Sequence, residues 1–273
     1  MIEITRLDDV QRIRMWTRRS AAVGYDVSAY LVRGVLVDTG FRHVAAELAR
    51  TLEDLRPRGA IVTHWHEDHA GNAAMLASRM PMWMSPYTEQ KLRERPQVKL
   101  YRHVVWGRPK KLLDTLTPIE TAPLQLIATP GHSPDHHIVF DPDTRTIFSA
   151  DLWLGVKVRV MGATENPYQI IESLTKAIAL QPKRMLDAHR GPVDRPVAAL
   201  EAKRAWLQDT VGEIERRLDA GDSERQIVRA VLGGEERTAF VSQGEYARRN
   251  LVRTVARYRS SSGSGPDRPK RDI

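Results

Sequence analysis

Four candidate metal ligands, His64, His66, Asp68 and His69, fall within six residues in His64-Trp65-His66-Glu67-Asp68-His69. Neutral imidazole and carboxylate suit zinc and similar borderline cations, and the chain has no cysteine to serve instead. Such groups cost little on a solvated loop. Behind the apolar run Ala60-Ile61-Val62-Thr63, however, they are unpaired polar groups unless something coordinates them. His64 and His66 lie two apart and reach one side of an extended backbone, while Asp68 and His69 follow where the chain turns. One cation can take the first pair and a second cation the other.

Three further segments deliver single ligands to the ends of short apolar runs. Leu124-Gln125-Leu126-Ile127-Ala128-Thr129 reads as a strand ending in Pro130-Gly131-His132-Ser133. Thr146-Ile147-Phe148-Ser149-Ala150 ends in Asp151, and Lys183-Arg184-Met185-Leu186 runs into Asp187-Ala188-His189-Arg190-Gly191. Open α/β sheets gather their ligands at that C-terminal edge. A lone histidine after a strand is an ordinary polar residue more often than a ligand. Three such segments behind the first cluster point to one convergent site.

The succession His-x-His-x-Asp-His, Gly-His, Asp and a final His resembles the metallo-β-lactamase superfamily of metal-dependent hydrolases, over roughly residues 1–195. Gly71-Asn72 and Val37-Asp38-Thr39-Gly40 look like that family too. The resemblance implies that His64, His66 and His132 hold one metal, that Asp68, His69 and His189 hold another, and that Asp151 bridges them. It makes Asp38 the partner that orients a ligand imidazole, as metal sites generally require. His136 is a second supporting candidate, whereas His43, His103 and His137 read as ordinary polar residues. Two divalent cations are expected, zinc first, with iron or manganese able to share these ligands.

Such a ligand set lowers the pKa of water to roughly 7 and polarises a carbonyl or phosphoryl oxygen. Asp68, with an oxygen to spare, can orient the nucleophile or pass a proton to the leaving group. The expected reaction is direct hydrolysis by a metal-bound hydroxide.

The 273 residues exceed a usual single domain, and 41% hydrophobic content suffices for a sizeable core. No apolar run approaches the length a bilayer span requires. The strand-like Met1-Ile2-Glu3-Ile4 is no secretory segment, so a cytoplasmic protein is expected. The net charge of +8 favours anionic substrates or surfaces but is spread along the chain.

These ligands need an α/β scaffold, and the patterning supplies one: an αββα sandwich of two packed mixed sheets with outer helices. Arg12–Trp16 alternates like a half-exposed strand, and Val27–Val37 reads as a hairpin turning at Arg33-Gly34. Helical spacing spans 44–55, 71–79 and 170–180. After Pro196 the spacing predicts a helical C-terminal module over 196–258, with one helix over 197–220 and two opened by capping boxes at Ser223-x-x-Gln226 and Ser242-x-x-Glu245. Residues 259–273 read as a disordered tail. Residues 85–118, rich in cations and carrying Tyr87, Tyr101 and Trp106, read as a lid over the cleft or a homodimer contact.

The substrate is less legible. Superfamily members of this kind cleave thioesters, lactones, β-lactams and phosphodiesters, and fold alone does not choose. Without cysteine the chain lacks the Cys ligand of one large group of β-lactamases, and Asp151 departs from the others. His66, where a glutamate would stand, argues against the oxygen-reducing diiron relatives. The helical tail resembles glyoxalase-II-like and β-lactamase-like-protein-2-like members, but no glutathione signature follows Asp151. Lys157, Arg159 and Tyr168 are candidates for holding an anionic or polar substrate group. A small thioester, ester or lactone is the leading expectation. The rivals are a metal-dependent single-strand ribonuclease or phosphodiesterase, given the basic charge, and a non-catalytic regulatory protein that retains its metals.

Overall fold

The computed structural model describes residues 1–22, 24–94, 99–158 and 160–262. Six strands form the first sheet in sequence order: β1 (Ile2–Leu7), β2 (Val10–Met15), β3 (Val27–Val32), β4 (Val35–Val37), β5 (Gly59–Ile61) and β6 (Met82–Trp83). Pairing is antiparallel through β4, with Arg33-Gly34 as the β3–β4 turn, and parallel from β4 to β6. The second sheet comprises β7 (Gln125–Ala128), β8 (His137–Asp141), β9 (Thr146–Ala150), β11 (Arg184–Asp187) and β12 (Gly191–Val193), in the order β12-β11-β9-β8-β7. Only β9 and β11 pair in parallel there. A short antiparallel pair joins β10 (Met161–Gly162) to β13 (Tyr246–Ala247).

Side chains that alternate along a strand explain why the sheets stack. On β3, Tyr30 and Val32 face the space between the sheets and meet Val139, Phe148 and Leu186 from the second sheet. Val27 and Ala29 face the other way, onto α2 (Ala45–Leu55), α3 (Ala73–Leu76) and α5 (Leu100–Trp106). On the second sheet Ile138, Phe140, Ile147 and Met185 face outward onto α6 (Pro167–Ala179), α7 (Pro196–Asp219), α8 (Glu224–Leu232) and α10 (Arg248–Ser262). Strands buried on both faces read as near-continuous apolar runs, as β3, β8 and β9 do. The expected αββα sandwich is the observed fold. The remaining helices are α1 (Arg18–Ala22), α4 (Pro86–Arg93) and α9 (Arg237–Val241).

Several local expectations change. The helical C-terminal region has no separate core: Leu200, Leu207, Val211, Ile214, Ile227 and Val255 share one cluster with Ile147, Leu174 and Met185. Ser223 and Gln226 form the expected capping box. Ser242 and Glu245 do not. Ser242 Oγ instead bonds the backbone of Tyr246, Glu245 turns to Arg102, and the chain enters β13 before α10 begins. A short-range motif is overridden here by a strand pairing and a buried charge. The helix after the His64–His69 run shrinks from 71–79 to Ala73–Leu76, because turns flank it. The tail expected from 259 is still helical to Ser262, where Arg259 reaches back to Asp219 and the Glu215 carbonyl. Residues 263–273, and Arg159, lie outside the described residues.

Within 85–118, the described residues 85–94 and 99–118 pack onto the body of the fold at several points. Ser85 caps α4, with Pro86 at its first position, and Trp106 is buried against Phe41 at a centroid distance of 4.9 Å. Trp106 belongs to the first outer core, so its aromatic surface is spent on packing.

Candidate metal centre

One end of the sandwich collects the candidate ligands because the strands that precede them, β4 and β5 in one sheet and β7, β9 and β11 in the other, run in the same direction within each sheet and end there. The chain leaving β4 presents Asp38, that leaving β5 presents His64 to His69, and that leaving β7 presents His132. Asp151 directly follows β9, and His189 lies just beyond β11. Close backbone approach makes this convergence work. A Cβ on Gly71 would stand 2.3 Å from the Glu67 carbonyl oxygen and 2.8 Å from that of Gly40. Gly131, at φ 132°, lets the turn before His132 settle on Ile170. Asn72 then ties the loops together, donating at 2.9 Å to the carbonyls of both Thr39 and Phe41.

All seven expected ligands arrive. His64, His66, His132 and Asp151 form one group and Asp68, His69 and His189 a second, the candidate atoms within each lying within 4.8 Å of one another. Asp151 divides between them. Its Oδ2 lies 3.2 Å from His132 Nε2 and 4.0 Å from His64 Nε2, while Oδ1 lies 3.1 Å from His69 Nε2 and 3.3 Å from His189 Nε2. Asp68 Oδ2 stands 3.5 Å from His189 Nε2.

The far nitrogen of four imidazoles is engaged outside the site. His64 Nδ1 meets Thr63 Oγ1 at 3.1 Å and His69 Nδ1 meets Asp38 Oδ2 at 2.8 Å. His132 Nδ1 lies 3.3 Å from Glu165, and His189 Nδ1 bonds the Asp26 carbonyl at 2.6 Å. This turns each Nε2 inward. His64 Nε2, His69 Nε2 and Asp151 Oδ1 are buried there without a well-aligned hydrogen bond, although the last two lie 3.1 Å apart. Orphaned polar atoms of this kind are costly unless a ligand takes them. Imidazole nitrogens and carboxylate oxygens are donors that suit divalent cations, so the donor chemistry and the geometry agree.

Asp38 and His136 are as buried as the candidate ligands. Asp38, at φ 65°, also takes the Thr63 backbone NH at 2.8 Å. His136 bonds Thr129 Oγ1 at 2.9 Å and accepts the Asp151 backbone NH at 3.1 Å, so it holds the Asp151 backbone and leaves its carboxylate free. Ala150 adopts φ 43° just before Asp151, where β9 and β11 shift register. A left-handed alanine costs about 1–3 kcal/mol and persists only where its surroundings impose it.

Charge is balanced inside the cluster. Burial drives the His64 and His66 rings well below their usual pKa. Burial opposes charge on His132 and His189 as well, but Asp151 and its carboxylate neighbours outweigh it, lifting them to about 10 and about 9. His69 is raised in the same way, and the three rings in turn hold Asp151 well below the usual carboxylate range against its own burial.

Some sequence candidates are placed elsewhere. Tyr168 is committed to the C-terminal helices, its hydroxyl donating to Glu215 at 2.9 Å and its ring stacking on Tyr258 at 4.2 Å. Lys157 is exposed. His43 bonds the His103 carbonyl, and His137 the Asp135 carbonyl. Other residues went unread. Glu165 backs His132, Asp135 takes the Trp65 NH and the Thr88 hydroxyl, and Glu67 forms a buried pair with Arg102. Only Glu67 carried a local signal, sitting inside the ligand run.

Comparison with known proteins agrees with this arrangement. Residues 22–189 match the metallo-beta-lactamase superfamily. The chain is 25% identical over 187 residues to a Drosophila melanogaster protein named beta-lactamase-like protein 2 homolog, covering 62% of this chain and 59% of that one. It is 30% identical over 185 residues to an Aspergillus chevalieri protein named atrochrysone carboxyl ACP thioesterase, covering 60% and 55%. The chain thus spans under two thirds of the length of either relative. In fold it is similar to a metallo-beta-lactamase family protein from Thermus thermophilus, with a TM-score of 0.67 at 15% identity over 94% of this chain and 95% of that one. With the motif, the sandwich and the converging ligands in agreement, the chain belongs to the metallo-beta-lactamase superfamily.

Proposed function

We propose that this protein is a dinuclear metal-dependent hydrolase acting on a small thioester, ester or lactone. The observation that carries the reading is the division of Asp151, one oxygen toward His132 and His64 and the other toward His69 and His189. A single cation would not need a carboxylate shared between two complete ligand groups. Bound in these groups, two divalent cations, zinc by preference, supply an acidified water and a Lewis acid for the substrate carbonyl.

The chain's own residues do the rest. Asp38, Thr63, Glu165 and the Asp26 carbonyl fix the imidazole tautomers, so each ring presents a lone pair inward. Asp68, with Oδ2 at 3.5 Å from His189 Nε2, retains a second oxygen that can orient water or hand a proton to the leaving group. Relatives named as thioesterases support an acyl substrate. The absence of cysteine ligands and the aspartate at the bridging position separate this site from the β-lactam-cleaving groups considered above.

A panel of acyl thioesters, lactones, phosphodiesters and short RNA, offered to zinc-loaded protein, tests this. Turnover of a thioester or lactone that vanishes on chelation is expected. Cleavage of RNA alone, falling steeply as salt rises, would replace the reading with a nuclease.

A further inference from the structure

Arg102 on α5 connects three parts of the molecule that are remote in sequence. It is 7% exposed, and Glu67, which stands between His66 and Asp68, is 2% exposed. The guanidinium grips both Glu67 oxygens, Nη2 donating to Oε2 at 2.8 Å and Nε donating to Oε1. Its remaining arm, Nη1, donates to Glu245 Oε1 and to the Tyr246 hydroxyl, each at 2.8 Å, and its centre stands 5.5 Å from the centroid of the Tyr246 ring.

The far end of this clamp is itself fixed. Asn250 donates to the carbonyls of Met161, Gly244 and Glu245, and Lys99 donates to the Ser242 carbonyl at 3.1 Å. Strand β13, which carries Tyr246, pairs with β10 shortly before Glu165, the residue against His132. The turn 242–247 is therefore linked at two points to segments that flank the candidate ligands, through Arg102 to Glu67 and through β10 to the loop that carries Glu165.

A buried pair of this kind is a weak source of stability, because desolvating both charges cancels most of their attraction. Its bidentate, planar geometry is suited to fixing orientation. We propose that Arg102 is a positioning residue. By clamping Glu67 it holds the adjoining Asp68 carboxylate toward His69 and His189, and the C-terminal turn sets the clamp through Glu245 and Tyr246. Occupancy of the Asp68–His69–His189 group thereby depends on a segment far along the chain, at 245–246. This rests on the metal-binding reading above.

The test is a stepwise zinc titration of the full-length chain against a chromophoric chelator, with the thermal midpoint of the metal-free protein measured alongside. His189→Ala identifies the step that belongs to the second group. The charge-balanced double variant Arg102→Met with Glu67→Gln is expected to weaken that step by about 10–100-fold and to leave the other within about twofold. Arg102→Lys, which keeps the charge but loses the fork, falls between. A purely structural role would lower the midpoint and leave both steps at wild-type strength, and that result overturns the proposal, as does equal weakening of both. Should the double variant fail to fold, Tyr246→Phe decides: weakening confined to the second step supports the clamp, and unchanged affinities overturn it. A wild-type chain that takes up no zinc refutes the metal reading and the clamp together, whereas normal zinc uptake by every variant refutes the clamp alone.

Discussion

Asp38 Oδ2 receives the Nδ1 proton of His69 across 2.8 Å, although 31 residues separate the two in the chain. The contact decides which nitrogen of His69 can face the cluster, and the second Asp38 oxygen is already committed to the Thr63 NH. Asp38→Asn keeps the size of the side chain but removes the anionic acceptor. It should lower affinity at the His69 group by about 10–100-fold with little loss of fold. A chelator-competition titration with circular dichroism reads both quantities, and unchanged affinity would show that the contact does not tune the ligand.

Protons and cations compete for the same lone pairs, which fixes the sign of a pH effect. In the metal-free protein His132 and His189 are lifted from 6.5 to about 10 and about 9. A ring whose pKa is higher in the folded state stabilises fully below 6.5, and that contribution is lost as pH rises through the folded value. Lys203, lowered to about 8 by burial, works in the opposite sense between 8 and 10.5. The window from 6.5 to 8 isolates the histidines. Metal-stripped protein should lose thermal stability across it, and zinc uptake should strengthen and release protons. Calorimetry in buffers of different ionisation enthalpy measures the release, and uptake without protons would contradict the charge balance described for the cluster.

Gly71 allows no side chain. A methyl group there would collide with the Glu67 carbonyl oxygen at 2.3 Å, displacing the segment that carries Asp68 and His69. Gly71→Ala should cost about 1–3 kcal/mol, in the range of overpacked sites, and should weaken zinc binding. Chemical denaturation together with metal content checks both, and full occupancy at wild-type stability would mean that the loop can yield.

The C-terminal helices share the outer core of the second sheet, so their removal is not the removal of an accessory. Leu207 is fully buried among residues of that cluster. Leu207→Ala should cost about 2–5 kcal/mol in a single cooperative transition. Tyr168→Phe, which deletes only the hydroxyl bond to Glu215, should cost about 1 kcal/mol and leave KM unchanged. A raised KM for Tyr168→Phe would restore it as a substrate contact.

The candidate ligands were legible because each sits at a strand end, where the sequence changes abruptly from apolar to His or Asp. His64 to His69, His132, Asp151 and His189 needed only that transition and a family likeness. The two sheets were legible from runs such as Thr146–Ala150, apolar on both faces. Glu165 and Asp135 were not, since each is one acidic residue among many and acquires its role only when β7, β8 and α6 bring it beside His132 or Trp65. Ser242-x-x-Glu245 misled for a related reason: Glu245 found its partner 143 residues away in Arg102, while Ser242 took the backbone of Tyr246 instead. Trp106 likewise reads as a surface aromatic until Phe41 is placed beneath it.

On the proposed reading, the two groups that meet at Asp151 would hold one divalent cation each. Metal content of the purified chain and of Asp151→Asn, measured by elemental analysis after equilibration with zinc, tests it most directly. The account predicts close to two zinc ions per wild-type chain, markedly fewer in the variant, and loss of acyl hydrolysis with them. A wild-type chain that holds no zinc, or one that hydrolyses at full rate once stripped, would contradict it.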